Sequence, residues 1–125
     1  MSRSPISAYQ NVQKETMDGR DLEAHVLFKA MAKLQECQNA WEDPGLIIRL
    51  DEALRYNQRL WTFFQAELTE ESNHLPFSIK QDLLNLAKFV DRHTFEVMAD
   101  PVKSKLDVLI NINRNIAEGL SGNTG

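Results

Sequence analysis

The sequence predicts an all-α fold, an up-and-down bundle of three to four long helices with a short N-terminal helix laid against it. Three observations lead there. Pro and Gly interrupt the chain at few places: Asp18-Gly19, Asp43-Pro44-Gly45, the Ser72 to Pro76 stretch, Asp100-Pro101, and the tail from Ser121 to Gly125. Between these breaks apolar residues recur at alternating spacings of 3 and 4, which holds them on one helix face because seven residues make close to two turns. No stretch alternates as a strand would, and no period of about 20 to 50 residues marks a repeat array.

Five helical segments follow in order. Ile6 to Thr16 is short and weakly amphipathic, so it depends on docking to the rest of the chain. Asp21 to Ala40 starts on a helix-initiating aspartate and lines up Ala24, Leu27, Met31, Leu34, Cys37 and Trp41 along one side. Gly45 to Thr69 has the clearest stripe, Leu50, Leu54, Asn57, Trp61, Phe64 and Leu68. Pro76 to Ala99 repeats it with Ile79, Leu83, Leu86, Val90, His93 and Val97, and Pro76 suits a first turn. Pro101 to Leu120 repeats it again with Val102, Leu106, Leu109, Asn113, Ile116 and Leu120. Short connections make consecutive helices antiparallel neighbours. A single helical domain over residues 1–125 is expected, with 1–5 and 121–125 as flexible ends.

Composition narrows the function. No run approaches the roughly 18 apolar residues of a membrane span, and Met1 to Tyr9 lacks the apolar core of a secretory signal, so a cytoplasmic protein without membrane attachment is expected. The net charge is −4, and Lys and Arg are interspersed with Asp and Glu, an arrangement that argues against nucleic acid as a partner. One cysteine, Cys37, excludes an intrachain disulfide and a cysteine-based zinc site.

Chemistry has no evident seat. His25, His74 and His93 are far apart, and none begins a helical metal pair. Glu71 and His74 form a solitary E-x-x-H string in a polar connection, where a di-iron bundle needs two such strings and two further carboxylates. Cys37 sits on an apolar helix face, the usual place of an inert thiol. No phosphate loop or nucleophile elbow is present, so neither an enzyme nor a cofactor is expected.

Two features remain. Each of the last three stripes carries one polar member, Asn57, His93 and Asn113, which reads as a structural network that fixes helix register, with partner or ligand binding as the alternative. The third segment has a second apolar row, Tyr56, Leu60 and Phe63, and the fifth has Val108 and Ile112 off its seam. These five are candidate partner-binding residues unless the first or second segment covers them.

The strings Asn57-Gln58-Arg59-Leu60-Trp61-Thr62, Val90-Asp91-Arg92-His93-Thr94 and Ile110-Asn111-Ile112-Asn113-Arg114-Asn115-Ile116, with Ala8-Tyr9 before them and Gly119-Leu120 after, occur in an order that resembles the flagellar biosynthesis regulator FlaF family of alphaproteobacteria. The chain departs from that pattern at Asn111, where an acidic residue is expected, and in Met1 to Ser7, which is longer than usual. The resemblance implies a non-enzymatic protein needed for flagellin production and export, linked in function to the flagellin regulator FlbT. It implies flagellin as partner, held through its amphipathic terminal helices as by an export chaperone or adaptor. The alternative it leaves open is a post-transcriptional regulator acting on flagellin messenger RNA, with Arg55, Arg59, Arg92 and Arg114 as phosphate contacts. A homodimer through the same apolar row is a further option.

Overall fold

Residues 19 to 121 are described by a computed structural model, and the expected Ile6 to Thr16 helix lies outside them. Helix α1 spans Gly19–Asn39, α2 Leu46–Leu68, α3 Phe77–Ala99 and α4 Leu106–Leu120, with a 3-10 turn at Lys103–Lys105 ahead of α4. No strand occurs among the described residues. The all-α fold expected from the sequence is the one observed.

The turn between α1 and α2 is held by Asp43, whose carboxylate accepts from Gly45 N at 2.9 Å and pairs with Arg49 at 2.8 Å. At the end of α2, Thr69 Oγ1 donates to Ala66 O at 2.8 Å and Asn73 Nδ2 to Glu67 O at 3.2 Å, satisfying carbonyls that the helix cannot. Asn73 Oδ1 then accepts from Leu75 N at 3.1 Å, and Pro76 precedes the first residue of α3.

The last helix starts later than its sequence suggests. Asp100, preceding Pro101, has left the helix at φ −146° and ψ 83°, away from the α region that a following proline disfavours, and Val102 is extended. Val102 is therefore outside the helix and exposed. The intervening turn is tied on three sides. Gln38 Nε2 donates to Lys103 O at 3.2 Å and Asp107 Oδ1 at 2.7 Å, His93 Nε2 to Lys105 O at 2.7 Å, and Lys105 Nζ to Asp100 O at 2.9 Å.

Gln38, near the end of α1, meets Asp107 at the start of α4, so these two helices are antiparallel. Helix α1 packs along both α4 and α2, while α3 packs on α2. The core where they converge contains Leu27, Leu34, Leu54, Val90, Val97, Leu106 and Leu109, all but excluded from solvent. Each such side chain contributes about 1.5 to 3 kcal/mol of hydrophobic stabilisation.

Helix α3 presents a face rotated from the one its large residues suggest. Its buried positions are Ala87, Val90, Thr94 and Val97, whereas Leu83, Leu86 and His93 are half-buried and Ile79 is exposed. Ala87 is buried on this face, and Thr94 is admitted because its hydroxyl donates to Val90 O at 2.7 Å within its own helix. Leu83, in the first half of α3, lines an opening at that end of the bundle.

Candidate functional site

At the centre of the bundle three polar side chains from α2 and α4 form a short chain. Asn57 and Trp61 are one turn apart on α2 and share a face, and Asn113 on α4 stands opposite them. Trp61 Nε1 donates to Asn113 Oδ1 at 3.0 Å, and Asn113 Nδ2 donates to Asn57 Oδ1 at 2.7 Å. An indole N–H can only donate, so it fixes which end of the Asn113 amide faces it, and that amide fixes the next. Asn57 Nδ2 ends the chain buried and without a partner. His93, grouped with the two asparagines from sequence, is not hydrogen-bonded to them: it holds the turn before α4 and stacks on Phe89 at 5.5 Å between ring centroids.

The five apolar residues read as partner contacts differ in exposure. Phe63 is 58 % exposed on α2. Leu60, Val108 and Ile112 are half-buried and rest against the core. Tyr56 is half-buried, with Lys33 Nζ 5.1 Å and Lys29 Nζ 5.9 Å from its ring centroid, so α1 flanks it. Helix α1 packs on both α2 and α4. Phe63 is the most accessible member of the set.

A larger opening lies at one end of the bundle. A recess of about 530 Å³ is walled by Trp61, Phe64 and Leu68 of α2, Leu83 of α3, and Ile116 and Leu120 of α4. Arg20 and Glu23 from the start of α1, Glu67, and the connection from Asn73 to Pro76 form its polar edge. All six of these apolar residues lie on the core stripes of the sequence, and nothing in their spacing reveals the opening at this end. Trp61 lies on the same stripe, and its N–H, which needs an acceptor when buried, is the sign in the sequence of the polar chain.

Among the described residues no group of three or more His, Cys, Asp and Glu is placed to hold a metal ion. Glu71 and His74 are both exposed. Cys37 is buried, and its thiol pKa is raised mainly by loss of solvation, a shift that Arg49 opposes and Glu36 reinforces. No described helix is long and apolar enough to cross a membrane. Of the arginines considered as phosphate contacts, Arg55 donates to Asp51 at 2.8 Å and Arg114 to Asn111 Oδ1 at 3.1 Å.

The family model for the flagellar protein FlaF matches residues 5–120. The chain belongs to the FlaF family. No curated protein and no solved structure matches it. FlaF membership makes it a flagellar protein, and the strings on which the resemblance rests acquire a physical meaning in the bundle. The α2 string supplies Asn57 and Trp61, the α4 string supplies Asn113, and the α3 string supplies the buried Val90 and Thr94. Gln58 Nε2 of the first also donates to Asp91 Oδ1 of the α3 string at 3.1 Å. Most of what marks this FlaF chain in sequence thus joins its helices, whereas the exposed Phe63 takes no part in those contacts and the end recess shares Trp61 and Ile116 with the marking strings.

Proposed function

We propose that this FlaF-family chain is a non-catalytic, cytoplasmic binding protein that holds an amphipathic terminal helix of flagellin during flagellin production and export, acting alongside FlbT. The observation that carries the reading is Phe63. A large aromatic ring left 58 % exposed on a helix whose opposite face is core is a ready contact for an apolar helix stripe. Tyr56 and Leu60 extend the contact along α2, with Val108 and Ile112 as secondary positions on α4. Masking such a stripe would keep flagellin from assembling before export. Direct contact with flagellin messenger RNA has less support, since Arg55 and Arg114 already have partners of their own.

The test is co-purification of the full chain with flagellin. Phe63→Asp should abolish the complex while circular dichroism keeps its helical signal. Leu60→Asp tests the same face, though at a residue that also supports the core. A complex that survives both substitutions would place the flagellin site elsewhere, and no complex with the unaltered protein would end the reading.

A further inference from the structure

We propose that the recess at the end of the bundle is the seat of the chain's own N-terminal segment, Ile6 to Thr16, with the Tyr9 ring inserted between α2 and α4. The inference is independent of flagellin binding and rests on four observations. The first is the recess itself: about 530 Å³, walled by Trp61, Phe64, Leu68, Leu83, Ile116 and Leu120. Its size falls within the range of about 300 to 1,000 Å³ typical of sites that enclose a bound molecule. Its apolar lining favours an apolar occupant over water.

The second is where the chain enters. Arg20 and Glu23, at the start of α1, line the recess. Gly19, the first residue of α1, therefore stands near the mouth of the recess, and Asp18-Gly19 is a turn-favouring pair in the sequence. The segment needs no long linker to reach the walls, so closing the loop costs little entropy.

The third is the segment's own chemistry. Ile6, Tyr9 and Val12 recur every third residue with Ala8 beside them, enough for a narrow apolar edge. A helix of 11 residues, roughly 16 Å long, is marginal by itself and needs a surface to dock on. Tyr9 suits this recess better than a phenylalanine would, because its ring meets apolar walls while its hydroxyl can reach the polar rim at Glu23, Glu67 or Asn73. The fourth is the extent of the family match. It begins at residue 5, so the segment is part of the FlaF unit and not an appended tail.

The decisive experiment is cysteine cross-linking in the full chain with Cys37→Ser as background. Val12→Cys combined with Leu83→Cys should oxidise rapidly to an intramolecular disulfide. Val12→Cys with Ile48→Cys, an exposed position at the start of α2, should not. A disulfide that forms only between chains would assign the recess to a second copy. A pair that fails to react, while Leu83→Cys cross-links to a cysteine placed in a flagellin terminal helix, would assign it to the partner. Either result overturns the proposal, as does equal reactivity of the two pairs. Hydrogen exchange provides a readout that needs no engineered cysteine. Tyr9→Ser in the otherwise unaltered chain should speed exchange around Leu68 and Ile116 to Leu120 by about 10-fold or more, with Val90 to Val97 unchanged. Exchange that is unaffected at both places would also defeat it.

Discussion

Asn113 donates through Nδ2 to Asn57 Oδ1 at 2.7 Å, and neither side chain has any solvent exposure. The pair joins α2 to α4, two helices that are not neighbours in sequence, and Trp61 Nε1 completes the chain at 3.0 Å on the other side of Asn113. The two asparagines do not carry equal weight. Asn113 makes two bonds in this chain, whereas Asn57 makes one and leaves its Nδ2 unpartnered.

Asn113→Leu should therefore be the more damaging substitution. It strands the Trp61 N–H and the Asn57 oxygen in a dry interior, at a cost of about 2 to 5 kcal/mol for the two groups together. Asn57→Leu strands only Asn113 Nδ2 and removes an existing orphan, so about 1 to 2 kcal/mol is expected. The double variant should be less destabilised than the sum of the singles. Urea unfolding of the four proteins tests the order, and Asn57→Leu proving the worse of the two would show that the bonds are not as described.

Phe63 and Phe64 are adjacent in sequence yet should respond oppositely to truncation. Phe64 is buried and meets Trp61 edge-on, with centroids 5.7 Å apart and planes at 86°. Phe64→Ala should cost about 3 kcal/mol or more, whereas Phe63→Ala should change stability by no more than about 0.5 kcal/mol. Thermal denaturation compares them directly, and similar losses from both would mean that Phe63 is enclosed in solution.

The same contrast shows how far the fold could be read in the sequence. Spacing alone places Phe64 in the core and Phe63 off it, because one residue is about 100° of helix rotation. It also places Asn57 and Asn113 on facing stripes, since a polar residue at a seam position has few other partners. It places Val90 and Val97 rightly but misassigns the rest of the α3 face, where size misleads: Leu86 and His93 look like better core residues than Ala87 and Thr94, yet the small ones are the buried ones. Nor could spacing reveal the end recess. Leu83, Ile116 and Leu120 have the right period for burial, but whether a periodic residue is covered depends on how the helices splay, which is a property of the assembled bundle. His93 illustrates the same limit, because its partner is a backbone carbonyl in a turn whose position follows from Pro101.

Cys37 should behave as a protected thiol. Burial raises its pKa, so less thiolate is available near neutral pH than at an exposed cysteine, and only the thiolate reacts. Alkylation by iodoacetamide at pH 8 should be slow in the folded protein and fast in urea. The linkage has a definite sign. Because the folded-state pKa is raised, ionisation favours the unfolded chain, and the associated stability is intact below the ordinary thiol value of about 8.5 and declines as pH rises beyond it. Cys37→Ala should flatten the alkaline fall in Tm; an identical fall in both proteins would assign it to other groups.

The turn between α1 and α2 makes a matching prediction in acid. The Asp43 carboxylate accepts from Gly45 N and, secondarily, from Arg49, and both interactions lower its pKa. A lowered pKa places the stabilisation above the ordinary aspartate value of about 3.9 and removes it as pH falls through the lower, folded-state value. Asp43→Asn should leave a protein whose Tm depends less on pH in that acidic window, and an unchanged profile would mean that the turn forms without the charge. Gly45 itself is dispensable as a glycine. Its φ is −88°, and an added Cβ would stand 3.6 Å from Asp43 Oδ1 and 3.8 Å from Arg49, ordinary contact distances. Gly45→Ala should thus stabilise the protein by about 0.4 to 1 kcal/mol through a less flexible unfolded chain, while leaving the Asp43 acid profile in place. A loss of stability would show that the backbone at Gly45 takes up a different conformation in solution.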